Sequence, residues 1–74
     1  MSAKPMQVTV LLPDGTPTGT VDVYPTNTLW RAQRRAPHVH VHGIARDLEP
    51  RGDGWALRLL KGELAPRNAK RRAA

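Results

Sequence analysis

Two groups of side chains in this sequence could do chemistry, a set of alternating histidines and a set of clustered arginines. His38, His40 and His42 fall on one side of an extended segment, where neighbouring members stand about 7 Å apart and can share a metal ion. A closed zinc site needs four donors, and no carboxylate in clear register completes the set. We therefore predict no metal site and interpret the histidines as the solvent-exposed face of a strand. A metal site and contact with a partner's phosphates or carboxylates are the alternatives.

The arginines concentrate positive charge in two blocks. Residues 31–46 carry Arg31, Arg34, Arg35 and Arg46 without an acid, and residues 61–74 hold five more cations against Glu63. Each block has a net charge of +4, and the rest of the chain contributes −2, which gives the formal net charge of +6. Concentrated charge raises the local potential and speeds encounter with polyanions, so the pattern favours a polyanionic or acidic partner.

Each block contains a candidate binding set. Arg and Trp are enriched where interfaces concentrate their energy, which points to a protein-facing patch made of Trp30, Arg31, Arg34, Arg35 and Arg46. The alternative is a solvated basic face with Trp30 as a core anchor. Flexible cations suffice for phosphate contact, so the second set is assigned to nucleic acid or an acidic protein surface; it comprises Arg67, Lys70, Arg71 and Arg72. The alternative for this second set is a solubilising role alone.

Catalytic chemistry finds little support in the sequence. There is no cysteine, the only serine is Ser2, and the carboxylates of Asp14, Glu49 and Asp53 fall in predicted loops without an apolar pocket. Covalent triads are absent. We expect a protein that is not an enzyme and that needs no cofactor.

The elements that must position these groups follow from periodicity. Residues 6–12 alternate as a strand, residues 13–19 are dense in turn formers, and residues 20–24 alternate again, which predicts a hairpin. Three N-cap candidates at residues 26–28 and a stop at Pro37 predict a short helix over residues 29–36. That helix would present the clustered arginines.

Two further strands are predicted at residues 39–42 and 55–59, and they are expected to pair as a second hairpin, with the turn-rich segment 49–54 between them. The order ββαββ favours an α+β fold, a small and mainly antiparallel four-stranded sheet with one short helix on its face. A small all-β barrel is the second choice. Residues 5–64 form this single domain, and residues 65–74 have no apolar period and are predicted to be a flexible, disordered basic tail.

Length and composition bound the rest. The chain has 74 residues, 39% of them hydrophobic and only three aromatic, so it can build one small Val- and Leu-rich core, stabilised by packing or by docking on a partner. The longest strongly apolar run is residues 10–12, and no signal-peptide pattern follows Met1. We expect a soluble, cytoplasmic protein without a membrane partner.

One stretch also resembles a known family. Residues 6–35, MQVTVLLPDGTPTGTVDVYPTNTLWRAQRR, together with the basic end NAKRRAA, resemble small transcription regulators encoded by lytic bacteriophages. The likeness covers nearly the whole chain and is one of general similarity. It implies a partner, the host bacterial RNA polymerase, gripped at its largest subunit near the RNA exit channel. The implied activities are displacement of the sigma factor, which inhibits promoter-specific initiation, and antitermination, all in the host bacterial cytoplasm.

The alternative function is a small basic RNA- or DNA-binding module without a protein target. Such modules stack bases on aromatic side chains that lie close together on one face. Here Tyr24, Trp30 and Trp55 are separated by 6 and 25 residues in sequence. That spacing favours the polymerase-binding function.

Overall fold

The chain folds as two β-sheets that share one core. The computed structural model describes residues 4–67 and 69–71, and within them it shows the following strands: β1 (Met6–Leu11), β2 (Pro17–Val23), β3 (His38–Val41), β4 (Ile44–Asp47), β5 (Glu49–Arg51), β6 (Gly54–Arg58) and β7 (Lys70–Arg71). The larger sheet has the order β5-β6-β1-β2-β7, and β3 pairs with β4 in a second sheet.

The predicted first hairpin is confirmed. β1 and β2 are antiparallel, and the turn between them closes with a hydrogen bond from the Leu12 N–H to the Thr16 carbonyl at 2.8 Å. Asp14 accepts a hydrogen bond from the Thr16 N–H, which lowers the pKa of its carboxyl group. Gly15 has φ = +94°, a conformation that L side chains rarely adopt, so glycine suits this turn.

The predicted pairing of the third and fourth strands is wrong. β3 instead forms a hairpin with β4 through His42 and Gly43, whose φ values of 54° and 76° fit a tight two-residue turn. β6 pairs with β5 on one side and runs parallel to β1 on the other. The sheet is therefore mixed, because β1 has an antiparallel neighbour on one edge and a parallel neighbour on the other.

The predicted helix over residues 29–36 is wrong, and so are the α+β class and the ββαββ order. No helix occurs in residues 4–67 or 69–71. Within this segment the backbone hydrogen bonds span four, three and five residues: Gln33 N–H to Leu29 O, Arg34 N–H to Arg31 O and Arg35 N–H to Trp30 O. Arg34 has φ = 54°, which ends any regular helical turn there.

Asn27, one of the three N-cap candidates, forms hydrogen bonds across the segment instead. Asn27 donates from Nδ2 to the Ala36 carbonyl at 3.0 Å, and its Oδ1 accepts from the His38 N–H at 2.7 Å. These bonds join the two ends of the segment across its base. An asparagine held across a loop cannot cap a helix at the same time, so the segment closes as a loop.

The core lies between the two sheets, whereas the prediction placed a helix on the face of a single sheet. Val8 and Val10 of β1 and Val39 and Val41 of β3 are all buried, with Val10 completely inaccessible. The remaining members of this cluster are Val21, Val23, Leu48, Leu57 and Leu59. The inward valines of the small sheet therefore cover the valine face of the large one.

The C-terminal segment contributes one short strand. Lys70 and Arg71 pair antiparallel with Thr20 and Gly19 of β2, and Ala69 packs against the core. The flexibility predicted for residues 65–74 stays a prediction. Among the described residues, no helix has the length and apolar character needed to cross a membrane.

Candidate functional site

The segment between β2 and β3 presents most of the predicted protein-facing patch. We call residues 28–36 the arginine loop. Asn27 holds its base, as described above, and the Thr26 N–H donates to the His38 carbonyl at 2.8 Å beside it. The side chains of Arg31, Arg34 and Arg35 are exposed on this loop. The loop therefore displays three cations on a base that is fixed by hydrogen bonds.

A tryptophan pair anchors the loop to the large sheet. The rings of Trp30 and Trp55, at the start of β6, meet edge to face with centroids 5.5 Å apart and planes at 87°. The guanidinium carbon of Arg31 lies 5.0 Å from the Trp30 ring centroid, within cation–π range. Both tryptophans are half-buried, so this pair belongs partly to the core and partly to the surface.

Beside the pair lies an open cavity, which we call the arginine–tryptophan cleft. Its volume is about 460 Å³, and it is lined by Trp30, Arg31, Arg34, Arg35, Ala36, Pro50 and Trp55. No acidic residue is among these. The cleft thus combines apolar side chains with three arginines, a composition suited to a ligand that is both acidic and partly apolar.

Two acids on the neighbouring strands β4 and β5 pair with side chains other than these arginines. Glu49 pairs with Arg58 through two hydrogen bonds of 2.7 and 3.1 Å, and this pairing lowers the pKa of Glu49. Asp47 pairs with His38 across the β3–β4 hairpin. Among the described residues, no ion pair reaches Arg31, Arg34 or Arg35. Their charge is therefore available to a partner.

Arg46 lies apart from the other members of its predicted set. Its side chain is 10% exposed and pairs with Glu63, which is equally buried and also accepts a hydrogen bond from the Leu60 N–H. The pairing lowers the pKa of Glu63. The Nε and Nη1 atoms of Arg46 are buried without a hydrogen-bond partner among the described residues. This arrangement fits a group that ties β4 to the segment after β6.

The predicted nucleic-acid set lies on another part of the surface. Arg67 is exposed beside a second open cavity of about 460 Å³, together with Tyr24 and His40. Lys70 and Arg71 form β7, and Arg72 lies outside the described residues. Arg67 is not among the residues that line the arginine–tryptophan cleft. The two predicted sets are therefore not joined into one site by the described residues.

The three histidines have separate environments. His38 faces Asp47, His40 is exposed, and His42 lies in the hairpin turn with its Nε2 3.1 Å from the Leu64 carbonyl oxygen. No group of three potential metal ligands comes together in the part of the chain that the structure describes. His38 and His42 therefore make contacts within the fold.

Sequence reasoning missed Trp55, Pro50 and Asn27 as parts of this site. Trp55 was predicted only as part of the strand 55–59, and Pro50 only as part of the turn-rich segment 49–54. The one signal in the sequence was Trp30 itself, because a large aromatic among arginines needs an apolar neighbour to be half-buried. That neighbour could not be identified from spacing.

Comparison of this chain with known protein families, with curated proteins and with solved structures finds no match.

Proposed function

We propose that this chain is a non-enzymatic binding protein that docks its arginine–tryptophan cleft on an acidic protein surface. One observation carries the proposal: Arg31, Arg34 and Arg35 line one cleft together with a half-buried tryptophan pair and have no ion-pair partner among the described residues. Arginine and tryptophan are the side chains that most often dominate binding energy at protein interfaces. Guanidinium groups also pair with carboxylates in a bidentate geometry.

The proposed partner is bacterial RNA polymerase, and the resemblance of residues 6–35 to phage transcription regulators supports this choice. The chain would then act in the host bacterial cytoplasm, where it would inhibit initiation, promote antitermination, or do both. Binding alone is enough for these effects, and no cofactor is needed. The net charge of +6 would speed encounter with an acidic surface, and the rate would fall as salt is added.

A second candidate function is binding of RNA or DNA without a protein target. The contact between Trp30 and Trp55 favours it, because the structure brings together two aromatics that are distant in sequence. The position of Arg31 weighs against it, since its guanidinium covers a face of Trp30 on which a base could stack. We therefore keep the protein partner as the main proposal.

The test is retention of purified bacterial RNA polymerase on the immobilised protein, with and without nuclease. We expect retention that survives nuclease treatment. The double variant R34E/R35E should weaken it by at least about tenfold while the circular dichroism spectrum is unchanged, because both side chains are exposed.

The matched control is R51E/K61E, which changes the net charge equally at two exposed positions that belong to neither predicted binding set and do not line the cleft. Equal losses in the two double variants would place the binding surface elsewhere. Retention that disappears with nuclease would favour the nucleic-acid module.

A further inference from the structure

We infer that the arginine–tryptophan cleft binds a short extended segment of acidic protein chain that carries one apolar side chain. The apolar side chain enters the cavity beside the Trp30–Trp55 pair, and the flanking carboxylates pair with Arg34 and Arg35, which also line it. This inference rests on the proposed function, in which the partner is a protein. It adds the chemistry of the segment that is recognised.

The shape of the cleft argues for an inserted side chain. A cavity of about 460 Å³ is at the smaller end of the range for ligand pockets, and it opens to solvent beside Trp30, Trp55 and Pro50. A flat acidic surface would leave this cavity unfilled. An extended segment projects alternate side chains to opposite sides, so it can place one in the cavity while its neighbours stay at the rim.

The charges at the rim argue for carboxylates beside that side chain. Arg34 and Arg35 are adjacent in sequence, exposed and without an ion pair among the described residues. Their planar guanidinium groups can each hold a carboxylate by two parallel hydrogen bonds. No acidic side chain lines the cleft, so an incoming carboxylate meets no competitor there.

The loop is also organised before binding. Asn27 fixes its base, Arg31 is held over the Trp30 ring, and Arg34 keeps a positive φ that few arginines adopt. Backbone strain of this kind occurs at sites where geometry matters for function. A loop that is ordered in the free protein loses less conformational entropy on binding.

The same contacts disfavour single-stranded nucleic acid. A base needs a free aromatic face, whereas Arg31 covers Trp30 and the edge-to-face contact engages both tryptophans with each other. Proteins that bind single strands also need a groove of cations that follows the backbone. Here three cations converge on one cavity.

The test uses intrinsic fluorescence, because the only two tryptophans of the chain are Trp30 and Trp55. The first probe is a capped pentapeptide with one leucine between two pairs of glutamates. Two matched peptides replace the leucine by serine or the glutamates by glutamines. A fourth probe is a single-stranded oligothymidylate with four phosphates.

We expect a saturable fluorescence change with the first peptide and binding about tenfold or more weaker with each matched peptide. The variant R34Q/R35Q should lose binding of the first peptide, whereas R51Q/K61Q, at two exposed positions outside the cleft and outside both predicted binding sets, should keep it. An absence of saturable change, equal binding of the three peptides, or tighter binding of the oligothymidylate would overturn the inference.

Its failure can be told apart from failure of the proposed function. If polymerase is retained through the cleft but the peptides do not bind, the function stands and the inference fails. If the first peptide binds selectively and polymerase is not retained, the recognised chemistry stands and polymerase is the wrong partner.

Discussion

Trp30 and Trp55 are 25 positions apart in the sequence, yet their rings meet edge to face 5.5 Å apart and join the arginine loop to the large sheet. One tryptophan lies on an irregular loop and the other begins a strand. Their contact is the place where the fold and the proposed binding surface coincide.

This contact should appear as a coupling free energy. We expect W30L and W55L to destabilise the protein, and the double variant to cost less than the sum of the two by about 1 kcal/mol, the size of an aromatic pair beyond its buried area. Urea unfolding followed by circular dichroism measures each value. Strict additivity of the two substitutions would show that the contact contributes nothing of its own.

The side chain of Asn27 should contribute more to the stability of the fold than its position beside an exposed loop suggests. Replacing it by alanine removes the acceptor of the His38 N–H and the donor to the Ala36 carbonyl, so we expect a loss of about 2 kcal/mol. Asn27→Asp keeps an acceptor for His38 and should lose less. Urea unfolding gives the stabilities, and amide exchange at His38 reports the loop base directly. Unchanged exchange in the alanine variant would contradict the role assigned to Asn27.

Substitutions of Arg34 can separate an effect on stability from an effect on partner binding. Glycine tolerates the φ of 54° better than arginine, so R34G should stabilise the protein by about 1 kcal/mol while weakening partner binding. R34A removes the same guanidinium group but keeps a residue that disfavours this positive φ, so it should weaken binding without stabilising the protein. Thermal unfolding and polymerase retention, measured on both variants, test this. Equal stabilities of R34G and R34A would argue against strain at this residue.

The ion pair of Arg46 and Glu63 should make stability depend on pH. The folded-state pKa of Glu63 lies below its ordinary value of 4.5, chiefly through its hydrogen bond with Arg46. The ion pair therefore contributes its full stabilisation of the folded state above pH 4.5, and this stabilisation is lost as the pH falls through the folded-state pKa of Glu63. E63Q should lower the free energy of unfolding by about 3 kcal/mol at neutral pH. The stability of this variant should also fall less steeply as the pH drops below 4.5.

Glu49 provides the matched control for this comparison. Its pair with Arg58 is far more exposed, so E49Q should cost less than about 1 kcal/mol at neutral pH. Unfolding measured from pH 3 to pH 7 would distinguish the two variants. A larger effect of E49Q than of E63Q would mean that burial does not decide the strength of these pairs.

The sequence predicted the parts of the fold that depend on local pattern. Alternation identified the valines of β1, β2 and β3, and the turn formers between β1 and β2 located the first hairpin. The sequence did not predict β5, because Pro50 lies in a run of turn-forming residues. The helix predicted over residues 29–36 was wrong because the Asn27 side chain forms hydrogen bonds across the loop instead of capping a helix. Side-chain bonds between distant residues leave no periodic trace.

Only the part of the candidate site that is continuous in sequence could be predicted. Charge clustering along the chain marked Arg31, Arg34 and Arg35, which the structure keeps together. Charge clustering also assigned Arg46 to this set, but in the fold Arg46 lies on β4 and pairs with Glu63. Trp55 and Pro50 enter the cleft only because β5 and β6 bring them there, and a pairing of strands across the sheet cannot be read from local spacing.

The parallel pairing of β1 with β6 has a consequence for how fast the protein folds. β1 forms contacts with a strand near the other end of the described domain, so a long loop must close before the central strands of the sheet are joined. Proteins dominated by such distant contacts fold in milliseconds to seconds, far more slowly than helical domains of equal size. Stopped-flow refolding should show this slow rate, and during that interval the unpaired edge of β1 is open to other chains.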